Sequence, residues 1–121
     1  MNPSQLISHI KNHPGAVEFQ DVIATIDSHY EYTPTRFSNG QGDDMVINEA
    51  GKNEGSCKIF AFALLSGLSE TETLACFGQY YREDVLNHPQ GDDHANIRNF
   101  MKFGWDGIDF SGRALKPVKA E

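Results

Sequence analysis

From Ile59 to Leu65 every residue is apolar, and the run is led in by Ser56-Cys57-Lys58. As a helix this segment would be hydrophobic on nearly every side, and such a helix cannot lie on a surface; it has to be enclosed. The other elements must therefore wrap it. With 121 residues, 39% of them hydrophobic and eight of them Phe, the chain has material for one such core. The expected fold is α+β and predominantly helical: about five helices packed around a central buried helix, with a small antiparallel sheet. Residues 1–121 are expected to form a single domain.

The wrapping elements can be read from spacing and punctuation. Asn2-Pro3 is an N-cap followed by proline at the first helical position. Leu6, Ile7 and Ile10 give that helix one apolar face, and Pro14-Gly15 stops it. Phe19, Val22, Ile23, Ile26 and Tyr30 recur at helical spacing in a second helix. Tyr32 to Phe37 is strand-prone and runs to the turn signal Asn39-Gly40, with Pro34 restricting it to a sheet edge. Met45-Val46-Ile47 and Gly107-Ile108-Asp109-Phe110 are its candidate partners. Gly67 closes the central helix, and Ser69-Glu70-Thr71-Glu72 is a capping box opening a long helix that ends at Pro89. Gly91-Asp92-Asp93 starts the last helix, carrying Ile97, Phe100 and Met101 to a C-cap at Gly104. Trp105 follows as a plug over the core.

Charge narrows the partners. Acids outnumber bases seventeen to ten, for a formal net charge of −7. Proteins that neutralise phosphates or anionic membranes present surplus Lys and Arg. Here the basic residues concentrate only in a weak tail, Arg113, Lys116 and Lys119. Neither nucleic acid nor membrane is expected as a partner. The start, Met1-Asn2-Pro3-Ser4-Gln5, lacks the basic and apolar regions of a signal peptide, which points to the cytoplasm. Cys57 and Cys76 both fall in apolar helical segments, as reduced thiols do.

Chemistry concentrates where the flexible loop Asn48 to Gly55 runs into the central helix. Cys57 lies in that helix's first turn, where unpaired amides and the positive end of the dipole favour a thiolate. With His94 as base, oriented by Asn96 or Asp93, it would make a thiol-dependent hydrolase or acyltransferase. The plainer reading makes Cys57 a small buried residue. The same loop, through Asn53, Gly55, Ser56 and Lys58, is a candidate binding site for a small anion. Its glycine spacing is not that of a Walker loop. Tyr81, Arg82, Asn96 and Arg98 add polar groups that can anchor a carboxylate or phosphate, or pair internally. His9 and His13 stand four apart but lack a third ligand, so neither a metal nor another cofactor is expected.

Three segments carry a family likeness: Asn53-Glu54-Gly55-Ser56-Cys57-Lys58-Ile59-Phe60-Ala61-Phe62, then Cys76-Phe77-Gly78-Gln79-Tyr80-Tyr81-Arg82, then His94-Ala95-Asn96-Ile97-Arg98-Asn99-Phe100 with Gly104-Trp105 behind it. Over most of its length the chain resembles the HopJ type III effector family. The resemblance implies kinship with candidate effectors but brings no defined activity and no catalytic residues. Secretion into a host cell by a type III system is the alternative location it implies. Helix signals beginning at Asn2 leave almost no flexible, Ser-rich export segment, which favours an intracellular protein. Two functions remain: an intracellular protein binding a small anionic ligand or a protein partner, and the Cys57–His94 enzyme.

Overall fold

The computed structural model describes residues 1–118. Lys119, the last base of the tail, lies outside them. Helices α1 (Pro3–Asn12), α2 (Phe19–His29), α3 (Glu54–Ser66), α4 (Glu70–Ala75) and α5 (Ala95–Phe103) form most of the regular secondary structure. Strand β2 (Phe37–Asn39) sits between β3 (Val46–Asn48) and β4 (Ile108–Phe110), both antiparallel to it. Strand β1 (Tyr30–Tyr32) pairs apart from that sheet, with β5 (Leu115–Pro117). The fold is thus α+β and predominantly helical, with a small antiparallel sheet. No helix among the described residues is long and apolar enough to cross a membrane.

Helix α3 is enclosed as its composition demands. Ile59, Phe60, Phe62 and Ala63 have no solvent exposure, and Cys57 and Ala61 are buried with them. Around Phe60 stand the rings of Phe37, Phe77, Phe100 and Trp105, at centroid distances of 5.8, 5.4, 5.0 and 6.3 Å. Trp105 meets Phe100 edge-on, and its indole N–H donates to the Leu68 carbonyl at 3.2 Å. It therefore plugs the core without stranding its one polar atom. The enclosure fails in the last turn, where Leu64 and Leu65 stay half exposed.

Three elements depart from the sequence expectation. The stretch from Tyr32 to Phe37 is not one strand: Pro34 falls in the link between β1 and β2, which join different ribbons. Proline cannot donate to a ladder, so the chain changes partners around it. The long helix expected from Ser69 to Pro89 is broken. Gly78 takes φ +58°, and a Cβ there would stand 2.7 Å from the Phe19 backbone nitrogen. Only glycine allows both the turn and the approach. Beyond it, Tyr80–Val85 winds as a π-helix. Finally, α5 begins at Ala95 rather than at Gly91, because His94 is left-handed (φ +50°) and serves as its N-cap.

Candidate functional site

Two helices end their N-termini in one basin. It has a volume of about 430 Å³ and is lined by Asn53, Gly55 and Ser56 from the start of α3 and by His94, Ala95, Asn96 and Ile97 from the start of α5. Phe19, Phe77 and Tyr80 make an apolar wall and Val46 closes one side. Cavities of roughly 300–1,000 Å³ are the size that holds small organic ligands.

The first amides of any α-helix have no acceptor within the helix. On α1 and α4 the chain closes them, with complete capping boxes of Asn2 with Gln5 and Ser69 with Glu72, while Glu18 leaves the start of α2 without a side-chain cap. Neither α3 nor α5 receives a side-chain cap. Their N-cap residues, Asn53 and His94, are the described non-glycine residues with positive φ, at 51° and 50°. A left-handed non-glycine residue costs about 1–3 kcal/mol, and such strain concentrates at functional sites. Unpaired N–H groups and the positive ends of two dipoles therefore face the same space.

A buried asparagine network holds the two helix starts together. Asn48 Oδ1 accepts from Asn53 Nδ2 at 2.7 Å and from Asn96 Nδ2 at 2.9 Å. Asn96 Oδ1 accepts from Asn48 Nδ2 at 3.1 Å and from Asn39 Nδ2 at 3.0 Å. Asn39 Nδ2 also donates to the Asn96 carbonyl at 2.8 Å. Two acceptors on one neighbour fix how the Asn39 amide is turned, and its Oδ1 is left buried with no partner among the described residues. Asn99 extends the set by donating to the carbonyls of Asn39 and Asp44. Strands β2 and β3, the loop before α3, and α5 are tied into one polar layer beneath the basin floor.

His94 is the titratable group best placed on the lining. Its Nε2 lies 3.1 Å from Asp84 Oδ2, and Asp93 Oδ2 is further off at 3.9 Å. The imidazole also packs against the Tyr80 ring, at 5.4 Å between centroids. Asp93 is engaged by Arg98, whose Nη2 donates at 2.6 Å, and this bond holds the Asp93 carboxyl below its ordinary pKa.

Of the residues singled out from sequence, the structure brings together Asn53, Gly55, Ser56, His94 and Asn96. The others point elsewhere. Lys58 pairs with Asp27 at 2.9 Å and lies over the Tyr32 ring. Arg82 donates to the Pro14 and Val17 carbonyls, pinning the π-helix to the turn after α1. Arg98 is spent on Asp93 and on the His88 carbonyl. Tyr81 packs against the core, and it is Tyr80 that faces the basin. The break at Gly78 rotates the following residues out of the helical phase that pointed to Tyr81. An isolated glycine inside an otherwise regular stripe was the available signal.

The Cys57–His94 pair is not formed. Cys57 is 1% exposed, its sulfhydryl faces the Thr35 carbonyl at 3.6 Å, and it is not part of the basin lining. Burial raises its pKa, and this outweighs the lowering from hydrogen bonds to Tyr32 and Thr35. The helix start that favours a thiolate is overruled by desolvation. Cys76 is more enclosed still, and burial pushes its thiol up to about 12. Both thiols are unpaired and buried. At neutral pH iodoacetamide is therefore expected to label neither in the native protein and both after denaturation, with mass spectrometry as the readout. Raised pKa values mean less thiolate at neutrality, so native labelling can only grow as pH rises. Prompt neutral labelling of native Cys57 would show the helix dipole winning after all.

Comparison with known proteins places this architecture. The model of a family described as HopJ type III effector protein matches residues 3–115, nearly the whole chain. The crystal structure of VPA0580, a protein of unknown function, is 48% identical and superposes with a TM-score of 0.89, over 94% of this chain and 92% of that one. No curated protein matches.

Proposed function

We propose, for a chain that belongs to the HopJ type III effector protein family, that the basin binds a small carboxylate carrying a flat apolar body. The observation that carries this reading is the convergence of the uncapped starts of α3 and α5 on one basin. Each helix start contributes roughly half a positive charge together with N–H donors aimed outward. A carboxylate supplies the acceptors that those amides lack. The rings of Phe19, Phe77 and Tyr80 then take the apolar remainder of the ligand. No Lys or Arg belongs to the lining, which suits a single negative charge better than a dianion. Arg82 and Arg98, the guanidinium candidates for that task, are consumed by backbone carbonyls and Asp93. The reading describes an intracellular binding protein, and the same chemistry would serve an exported one.

Benzoate and phenylacetate are the probes. Titration of isotope-labelled protein is expected to shift the amide resonances of Gly55, Ser56, Ala95 and Asn96 together, along one saturable curve. The amides of α1 and α4, closed by their own capping boxes, should stay in place. Equal shifts at all four helix starts, or none, would reject the basin as an anion site.

A further inference from the structure

Building on that reading of the basin, we propose that the site is hydrolytic, with His94 as the general base that activates water against a small carboxylic ester. The ester's acid product is then the kind of carboxylate the basin holds. The proposal rests on the His94 side chain rather than on the helix starts. Its Nε2 is engaged by Asp84 Oδ2 at 3.1 Å, which fixes that nitrogen as the N–H donor and leaves Nδ1 as the basic nitrogen. The ring is partly exposed, with a side-chain accessibility of 29%, and belongs to the basin lining. A carboxylate behind an imidazole that faces a cavity is the arrangement in which histidine removes a proton from a bound nucleophile. Asp84 touches no substrate in this scheme and is a positioning residue. The other groups around His94 are the Asp93 carboxylate at 3.9 Å, the Arg98 guanidinium paired with it, and the Tyr80 ring.

The step balances with water alone. A water oxygen bonds to the acyl carbon while His94 Nδ1 takes one of its protons. The carbonyl electron pair moves onto oxygen, and that oxyanion is held by the unpaired amides at the start of α3 or α5. As the tetrahedral centre collapses, the carbon–oxygen bond to the alcohol breaks, and the departing alkoxide takes the proton back from the imidazolium. One ester and one water give one acid and one alcohol. A carboxylic ester is favoured over a phosphoester because phosphoryl transfer leans on Arg, Lys and divalent cations. No Arg or Lys lines the basin, and no metal-holding cluster exists among the described residues.

The test uses p-nitrophenyl acetate and p-nitrophenyl butyrate with the whole chain. Wild-type protein is expected to hydrolyse at least one of them saturably, with benzoate competing. His94→Gly keeps the backbone at ease, since glycine accepts the left-handed φ, and should lose about 10²–10⁴-fold in kcat. Added imidazole should restore part of that loss, which no merely structural role for His94 predicts. Asp84→Asn should lower kcat while leaving KM near wild type, because the imidazole loses the carboxylate that fixes its tautomer and orientation. His13→Asn, at an exposed histidine outside the basin lining, should match wild type and controls for adventitious catalysis by a surface imidazole. Unchanged hydrolysis in His94→Gly overturns the proposal. So does absence of turnover in a wild-type protein whose basin amides still respond to benzoate, in which case the binding reading survives alone. Absence of both turnover and benzoate response sinks the two together.

Discussion

Replacing Phe60 with alanine is expected to cost about 3–5 kcal/mol of folding stability, the range measured for large-to-small changes at buried aromatics. Phe60 has no solvent exposure, and four aromatic neighbours surround it at 5.0 to 6.3 Å between centroids. Its removal forfeits the transfer energy of the ring, the ring–ring contacts, and whatever void the neighbours cannot close. Those neighbours come from β2, from the bend before Gly78, from α5 and from the turn after it, so no single rigid movement fills the gap. Since domains of this kind are stable by about 5–15 kcal/mol in all, the variant should be marginal at best. The check is a guanidinium melt followed by far-UV circular dichroism, with Leu64→Ala on the same helix as control. Leu64 is 51% exposed, and its truncation should fall within about 1 kcal/mol of wild type. Equal losses at the two positions would mean that the buried face of α3 is not where the core energy resides.

That contrast also shows what the sequence could disclose. The enclosure of α3 was legible because it depends on composition alone: a run with no polar face has only one stable environment. The N-cap at Asn2 and the capping box at Ser69 were legible for a similar reason, since each is a local pattern satisfied within the first helical turn. Strand β5 was not, because Leu115-Lys116-Pro117 has no alternation to announce it and exists by virtue of pairing with β1. The basin lay between. His94 and the loop from Asn53 to Ser56 stood out as residue types, yet the partner assigned to His94 was wrong. Sequence put Cys57 on the helix start but could not say which way the sulfur faces, and burial settled that against the thiolate. Asp84 was hidden by the π-helical winding after Gly78, which no helical periodicity anticipates. Asn39 was read as a turn former and Asn48 as the start of a flexible loop, the usual roles of the type, while Asn53 and Asn96 were read as ligand groups rather than as partners of these two. Their inward direction was nevertheless encoded: Asn39 follows Phe37 at the two-residue period of a strand, so both face the interior.

The asparagine network gives the second large effect, and it comes from polar groups rather than from apolar area. Asn48→Leu keeps the branching and the number of side-chain heavy atoms at a position that is 1% exposed, so the main thing it alters is polarity. What the change removes is the acceptor for Asn53 Nδ2 and Asn96 Nδ2 and the donor to Asn96 Oδ1 and to the Phe37 carbonyl. Asn53 is exposed and can turn its amide to water, so it pays almost nothing. Asn96 is 7% exposed and cannot: its Oδ1 keeps the bond from Asn39, but its Nδ2 is stranded at a cost of about 1–3 kcal/mol, and the lost bond to the Phe37 carbonyl adds about 0.5–1.5 kcal/mol. The expected loss is therefore about 2–4 kcal/mol, read from denaturant unfolding, with Asn53→Ala close to wild type as the control. The decisive comparison is the double variant Asn48→Leu/Asn96→Leu. If the cost is that of stranded partners, removing both sides at once should be milder than the sum of the single changes by more than about 0.5 kcal/mol. Additive losses would instead mean that each asparagine acts alone, and that the starts of α3 and α5 are held over the basin by packing rather than by the bonds between them.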